Sequence, residues 1–278
     1  MHDIAASAPQ SGKIRYMLFT RYFTACCVRP LRALAFLTIV IGGLATLAFV
    51  FPWLGQRQRG SITQRWSKLM LRTLGIRLHV TGTPPTGAAL IVANHVSWAD
   101  PFLLIACYPV HFVAKAEIRR WPVFGWLAAQ AGTIFIKRER QRDLADVAQA
   151  FVSHLTDGSA VGMFPESTTS DGTRLLPFKP GLFQVAVSTA ADCYPVALSY
   201  DHRAAIWVDD MGFLSSIWHV MIQPRITASV NFCPAIPYQG QHRRDLAIAS
   251  EAAIANALCL PAPRIPPELP GDLQDAAQ

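Results

Sequence analysis

Acidic residues are missing from residues 4–99 of this 278-residue chain, so that nothing anionic stands between Asp3 and Asp100. Over the same stretch lie Lys13, Arg15, Arg21, Arg29, Arg32, Arg57, Arg59, Arg65, Lys68, Arg72 and Arg77. With eleven basic and two acidic residues, the first hundred positions carry +9 and the remainder −2 of a formal net charge of +7. One-signed charge on this scale points to an anionic partner, either nucleic acid or a lipid surface. No nucleic-acid-binding motif accompanies it, and the cations border an uncharged run, which favours lipid over nucleic acid. Charge is scarce throughout, at 15% against 51% apolar residues. That is poor for a freely soluble protein and leads one to expect a membrane attachment. The six cysteines form no C-x-x-C pair and have no metal-ligand spacing with the eight histidines. They read as reduced, mostly buried thiols in a reducing compartment. H-E-x-x-H and G-x-S-x-G are both absent, which argues against a zinc enzyme and against a serine hydrolase; no metal site is expected. A cleavable signal peptide is not expected either, because the apolar run begins too late and is too long for an h-region.

That run covers residues 33–54, 22 positions without a charge. It is long enough to cross a hydrocarbon core of about 30 Å at roughly 1.5 Å per residue. Cations flank both ends, so orientation is not decided. Gly42, Gly43 and Pro52 also suit a segment that re-enters and returns to the same leaflet. Residues 61–74 follow as a helix with Ile62, Trp66, Leu69 and Met70 on one side and Arg65, Lys68 and Arg72 beside them. This fits a helix lying in a membrane interface, although an ordinary amphipathic core helix has the same periodicity.

From residue 77 onward the pattern becomes α/β. Short apolar runs at 77–81, 88–93, 111–114, 133–137, 160–164, 194–199 and 226–231 read as strands. Helical patterns occupy 101–107, 122–131, 142–155, 181–190 and 245–259. The expectation is a single domain with a central, mostly covered sheet flanked by helices, preceded by the membrane helix or re-entrant segment. The divisions are a basic arm over 1–28, the membrane segment and interfacial helix over 29–75, the α/β domain over 76–260, and a proline-rich mobile tail over 261–278.

Four blocks carry chemistry. Asn94-His95-Val96-Ser97-Trp98-Ala99-Asp100 places a histidine and an aspartate five positions apart, directly after an apolar strand. A neutral imidazole can take a proton from a hydroxyl, and a carboxylate on its other nitrogen would fix the tautomer and stabilise the cation that forms. The block at 132–138 ends a strand in Lys137 and Arg138, suited to an anionic ligand. The block at 164–172 puts Glu166 and the hydroxyls of Ser167, Thr168, Thr169 and Ser170 in a turn after another strand. Residues 194–198 are apolar enough to be only a core strand. Singly, a solvated Lys-Arg pair and an ordinary turn are the plainer readings of the second and third blocks.

In this order and spacing the blocks resemble the glycerolipid acyltransferase family, which includes the 1-acylglycerol-3-phosphate acyltransferases. The H-x-x-x-x-D motif is matched by His95 and Asp100, and the G-x-I-F-I-x-R-like motif by Gly132, Phe135, Ile136 and Arg138. The F-P-E-G-T-R-S motif is matched by Phe164, Pro165, Glu166, Thr168 and Ser170, with Ser167 in place of glycine and Thr169 in place of arginine. Lys179 and Gly181 match an F-K-x-G block. The likeness spans roughly residues 75–235. It implies that His95, held by Asp100, deprotonates the free hydroxyl of a lysolipid as it attacks the thioester of acyl-CoA or acyl-carrier protein, with no cofactor beyond that co-substrate. It also implies that Lys137, Arg138, Glu166, Ser167, Thr168 and Thr169 bind the acceptor, with Glu166 fixing a hydroxyl or a basic side chain. The location implied is a bacterial-type inner membrane, with the catalytic domain facing the cytoplasm. The expected acceptor is 1-acylglycerol-3-phosphate. Because Thr169 removes a phosphate-binding arginine, lyso-ornithine lipid is the alternative acceptor, and a catalytically silent membrane protein the remaining one.

Overall fold

The computed structural model describes residues 28–121, 125–126, 129, 133–136, 160–208 and 211–261. The basic arm, the tail from 262, Lys137, Arg138, the helical pattern at 142–155 and most of that at 122–131 lie outside the described residues. Seven strands form one sheet: β1 (Ile76–Thr81), β2 (Ala89–Ala93), β3 (Val110–Lys115), β4 (Ile134–Ile136), β5 (Ala160–Met163), β6 (Cys193–Tyr200) and β7 (Ile226–Phe232). Their order is β1-β7-β6-β2-β5-β3-β4. Neighbours are parallel except β6 and β7, which run antiparallel. Every expected strand is present within a residue or two.

β2 and β5 are buried along their whole length, as strands covered on both faces must be. Ala89, Ile91 and Ala93 of β2 point to one face, while Leu90 and Val92 point to the other, following the period of two. The first face is covered by α1 (Arg29–Phe49), α2 (Gln56–Thr73), α3 (Asp100–Cys107) and α5 (Phe213–Met221). The second is covered by α4 (Gln184–Thr189) and α6 (Arg243–Leu258). At about 1.5–3 kcal/mol per fully buried aliphatic side chain, these two cores are the main favourable contribution to folding. α5 has no counterpart among the expected helices. It buries Ser216, Ile217, Val220 and Met221, one stripe of a helix only nine residues long.

α1 is 21 residues long and its most apolar 18-residue stretch has a mean hydropathy of 2.0, enough by length and composition to cross a membrane. Of its side chains only Val40 and Leu47 are buried, together with Gly43, while Leu31, Leu34, Leu37, Ile41 and Phe49 are exposed. A short turn at Phe51–Trp53, with Pro52 inside it, sends the chain back, so α1 and α2 make an antiparallel hairpin. Trp66 of α2 donates its indole N–H to the Ile39 carbonyl at 3.0 Å. A Cβ on Gly43 would lie 2.5 Å from that indole nitrogen, so only glycine permits the approach. Leu47, Phe51 and Ile62 close the hairpin's far end.

Candidate active site

The sheet's topology gathers the site. β2, β3, β4, β5 and β6 are mutually parallel, so Asn94 after β2, Phe164 after β5, Tyr200 at the end of β6 and Ile136 at the end of β4 all lie at the same, carboxyl, edge. Open α/β sheets hold their ligands at this edge. Asn94 splices two strands there. Its side-chain amide donates to the Leu198 carbonyl at 3.0 Å and its oxygen accepts from the Leu198 N–H at 2.7 Å. A buried amide is thereby satisfied and the start of the turn is fixed.

Beyond Asn94 the chain turns tightly into α3 and carries Asp100 back under His95. Asp100 is fully buried. Its Oδ2 accepts three N–H groups: His95 Nδ1 at 2.8 Å, Val96 N at 2.8 Å and Ser97 N at 2.9 Å. Its Oδ1 accepts the Tyr200 hydroxyl at 2.7 Å. A carboxylate saturated in this way has no proton to give. Nδ1 of His95 therefore carries the hydrogen, and Nε2 keeps a free lone pair. The imidazole is one-fifth exposed and stacks on Phe164, 4.2 Å between ring centres and 18° apart; Phe164 stacks on Phe112 at 5.4 Å and 5°. Gly162 makes room for this stack, because a Cβ there would lie 2.5 Å from the Phe112 ring. Held on one side by a carboxylate and on one face by an aromatic column, the imidazole has a set orientation.

Glu166 faces backbone amides of both neighbouring segments. Its Oε1 accepts the backbone N–H of His95 at 2.7 Å and its Oε2 that of Leu176 at 2.9 Å. It is 3% exposed. Through these bonds it ties the first block to the loop after the third. Burial raises its pKa to about 7, against the lowering by those two N–H bonds. Ser167 is buried with φ of 66°, the left-handed backbone that glycine adopts without penalty. The family's glycine at this point therefore has a conformational reason. Thr168 is exposed and Thr169 half-buried at the surface of the same turn. Ser170 donates its N–H to the His95 carbonyl at 2.8 Å, a second bond between the first and third blocks. Lys179 N–H donates to the Pro165 carbonyl, which brings the fourth block alongside. Trp98 donates to the buried Ser216 hydroxyl at 2.9 Å and packs edge-on to Phe213; α5 is thus anchored to the first block. Among the described residues no group of metal-ligating side chains exists.

The comparisons with known proteins bear on this arrangement. The model of the family described as Acyltransferase matches residues 76–199. A 1-acyl-sn-glycerol-3-phosphate acyltransferase of Neisseria gonorrhoeae is 38% identical over 66% of this chain and 75% of its own length. The chain belongs to the acyltransferase family. A lyso-ornithine lipid O-acyltransferase of Rhizobium meliloti is 33% identical to it, over 69% of this chain and 72% of that protein. The crystal structure of the 1-acyl-sn-glycerophosphate acyltransferase PlsC from Thermotoga maritima superposes with a TM-score of 0.63 at 21% identity, covering 88% of this chain and 95% of that one. That likeness shows the fold. Two residues of the site escaped the sequence reading: Tyr200, which stands at the end of a strand read as core, and Phe112, whose stacking role depends on Gly162.

Proposed function

We propose that this acyltransferase moves a fatty acyl group from acyl-CoA or acyl-carrier protein to the free hydroxyl of a lysolipid, with 1-acylglycerol-3-phosphate as acceptor. The observation that carries the reading is His95 Nδ1 bonded to a buried, hydrogen-bonded Asp100, which leaves Nε2 free to accept a proton. In the proposed reaction Nε2 takes the acceptor's hydroxyl proton as the oxygen attacks the thioester carbonyl. The tetrahedral intermediate collapses, the carbon–sulfur bond breaks, and the imidazolium returns the proton to the departing thiolate. Asp100 stabilises the imidazolium in between. The step consumes no cofactor and no covalent acyl-enzyme is formed.

Lys137 and Arg138, the next two residues in the sequence after Ile136, which ends β4, are proposed as the phosphate contacts, with Thr168 and Thr169 at the rim. The exposed apolar face of α1 and the cations of α2 support attachment to a bilayer, through which the lysolipid arrives while the thioester comes from the cytoplasmic water. The return of the chain at Pro52 favours the re-entrant arrangement over a simple span, in a bacterial-type inner membrane.

Thr169, standing where the family has arginine, supports lyso-ornithine lipid as a second acceptor, and relatives of both names match at similar identity. A charge-assisted hydrogen bond contributes roughly 1.5–3 kcal/mol, so a missing arginine should cost about 10–150-fold in phosphate preference unless Lys137 and Arg138 replace it. The test is kcat/KM for both lysolipids on wild type, Arg138→Ala and Thr169→Arg. Arg138→Ala is expected to depress lysophosphatidic acid use selectively, and Thr169→Arg to raise it. Acceptor ratios unchanged across all three would remove these positions from head-group recognition.

A further inference from the structure

We infer that Tyr200 is a positioning residue for the reaction proposed above: its hydroxyl, by donating to Asp100 Oδ1, locks the carboxylate's rotation and sets how strongly it attracts the imidazolium of His95. Three observations carry this. The bond has full O–H···O strength at 2.7 Å and joins residues one hundred positions apart. The two oxygens of Asp100 divide their partners, with three N–H groups on Oδ2 and the phenol on Oδ1. The only ion pair of Asp100 among the described residues is with His95, and only when that imidazole is protonated, so while His95 is neutral hydrogen bonds alone hold the charge.

Without the phenol, Oδ1 would have no partner recorded in the structure and the carboxylate could turn about its Cβ–Cγ bond. Tyr200 is half-buried as a residue, but its hydroxyl end is enclosed, and desolvation followed by the charge of Asp100 pushes it well above the ordinary tyrosine range. It therefore keeps its proton throughout turnover and acts only as a donor. The buried Ser97 hydroxyl lies against the phenol as well, so the ring's oxygen is fixed from two sides. This inference rests on His95 being the base.

A hydrogen bond to Oδ1 draws negative charge away from Oδ2 and lowers the affinity of His95 for its proton. Its removal should raise that affinity. Tyr200→Phe is thus expected to lower kcat about tenfold, through loss of alignment, while the KM for lysolipid stays within about threefold. The acid limb of the kcat/KM profile should move to higher pH by about half a unit to one unit. Site-specific 3-fluorotyrosine at position 200 keeps the ring and makes the hydroxyl a stronger donor. It should move the same limb to lower pH.

Glu166 is the other titratable group at the dyad, through its bond to the His95 N–H. Asp171, on the loop beyond Ser170, feels the charges of Arg174 on the same loop and of Arg203 in the turn after β6. Both shifts are therefore also measured in a Glu166→Gln background, where they must persist. Opposite displacements of the limb by the two substitutions support the assignment. A limb that stays put in both, in protein whose thermal unfolding is intact, overturns it and leaves Tyr200 as packing. If His95→Ala were fully active, the underlying reading would fail instead, which a shifted or unshifted limb does not mimic.

Discussion

Replacement of Asp100 by asparagine separates the charge of this residue from its geometry. The side chain is fully buried and faces three N–H donors at Oδ2 and one hydroxyl at Oδ1. An asparagine amide has one oxygen and one NH2 group. Its oxygen will face the three N–H donors, since the opposite orientation would set NH2 against all of them, and its NH2 will donate to Tyr200, whose hydroxyl can rotate to accept. His95 then keeps its tautomer, with Nδ1–H on an amide oxygen. What is lost is the anion beside the imidazolium. Two unit charges about 4 Å apart at an effective dielectric constant of about 20 interact by about 4 kcal/mol, so kcat should fall by about 10²–10³-fold. The neutral side chain should also lower the proton affinity of His95 and move the acid limb to lower pH. The assay is initial-rate acyl transfer from a thioester, read by thiol release across pH, on protein whose Tm is measured alongside. A folded Asp100→Asn enzyme with kcat within fivefold of wild type would falsify the role assigned to the carboxylate charge. An unmoved acid limb would show that His95 does not sense it.

His95→Ala should lower kcat by about 10²–10⁴-fold with Tm nearly unchanged, because a partly exposed imidazole is removed and little core volume is lost; residual activity above a tenth of wild type would contradict this. Glu166 has its pKa raised from 4.5 to about 7, so the folded state binds a proton that the unfolded state has released between those values. Its contribution to stability is complete below pH 4.5 and is lost as pH rises through 7, by up to about 3 kcal/mol; Glu166→Gln should flatten this part of the Tm–pH curve, and an unaltered slope would refute it. At Ser167, where φ is 66°, glycine should be tolerated without loss of Tm, whereas valine should cost about 2 kcal/mol in denaturant unfolding, since a branched Cβ opposes left-handed backbone. Equal stability of the two variants would be the contrary result.

The central strands were legible because each is a short apolar run bounded by turn residues, and in β2 and β5 burial on both faces left no polar alternation to confuse them; β7 showed instead the alternation of a strand with one covered face. α5 was not legible: nine residues with two adjacent serines give too few turns for a 3.6-residue period to stand out, and the hydrogen bond from Trp98 that satisfies the buried Ser216 joins residues far apart in the chain. The reversed direction of β7 against β6 leaves no mark in composition either. The His95–Asp100 pair could be read from five-residue spacing, since both lie on one turn. Glu166 could be seen as a carboxylate after a strand, but its partners are backbone amides 71 and 10 positions away, and backbone amides have no sequence signature. Tyr200 is hidden for the same reason of distance: a tyrosine closing a strand looks like packing until the fold sets its hydroxyl on Asp100. The roles proposed for Lys137 and Arg138 stand on the sequence resemblance and on the position of β4.

The hairpin of α1 and α2 is not a detachable anchor. Arg32, near its start, donates to the Gln223 carbonyl and to that of Pro224 at 2.7 Å, just past the end of α5, and its guanidinium lies against Gly75, which leads into β1. Val40 belongs to the same core as Ile91 and Val230. Cutting the chain before α2 to obtain a soluble enzyme would strip one wall from that core and leave the carbonyls after α5 without their donor, so a shortened protein should be less stable even in detergent. Solubility is better sought by changing the outward leucines of α1, Leu31, Leu34 and Leu37, and leaving the inward side whole. The same contacts hold the catalytic edge at a set distance from α1, with no swinging linker between them: if α1 is what meets the bilayer, as proposed, the acceptor has to be reached at one fixed depth.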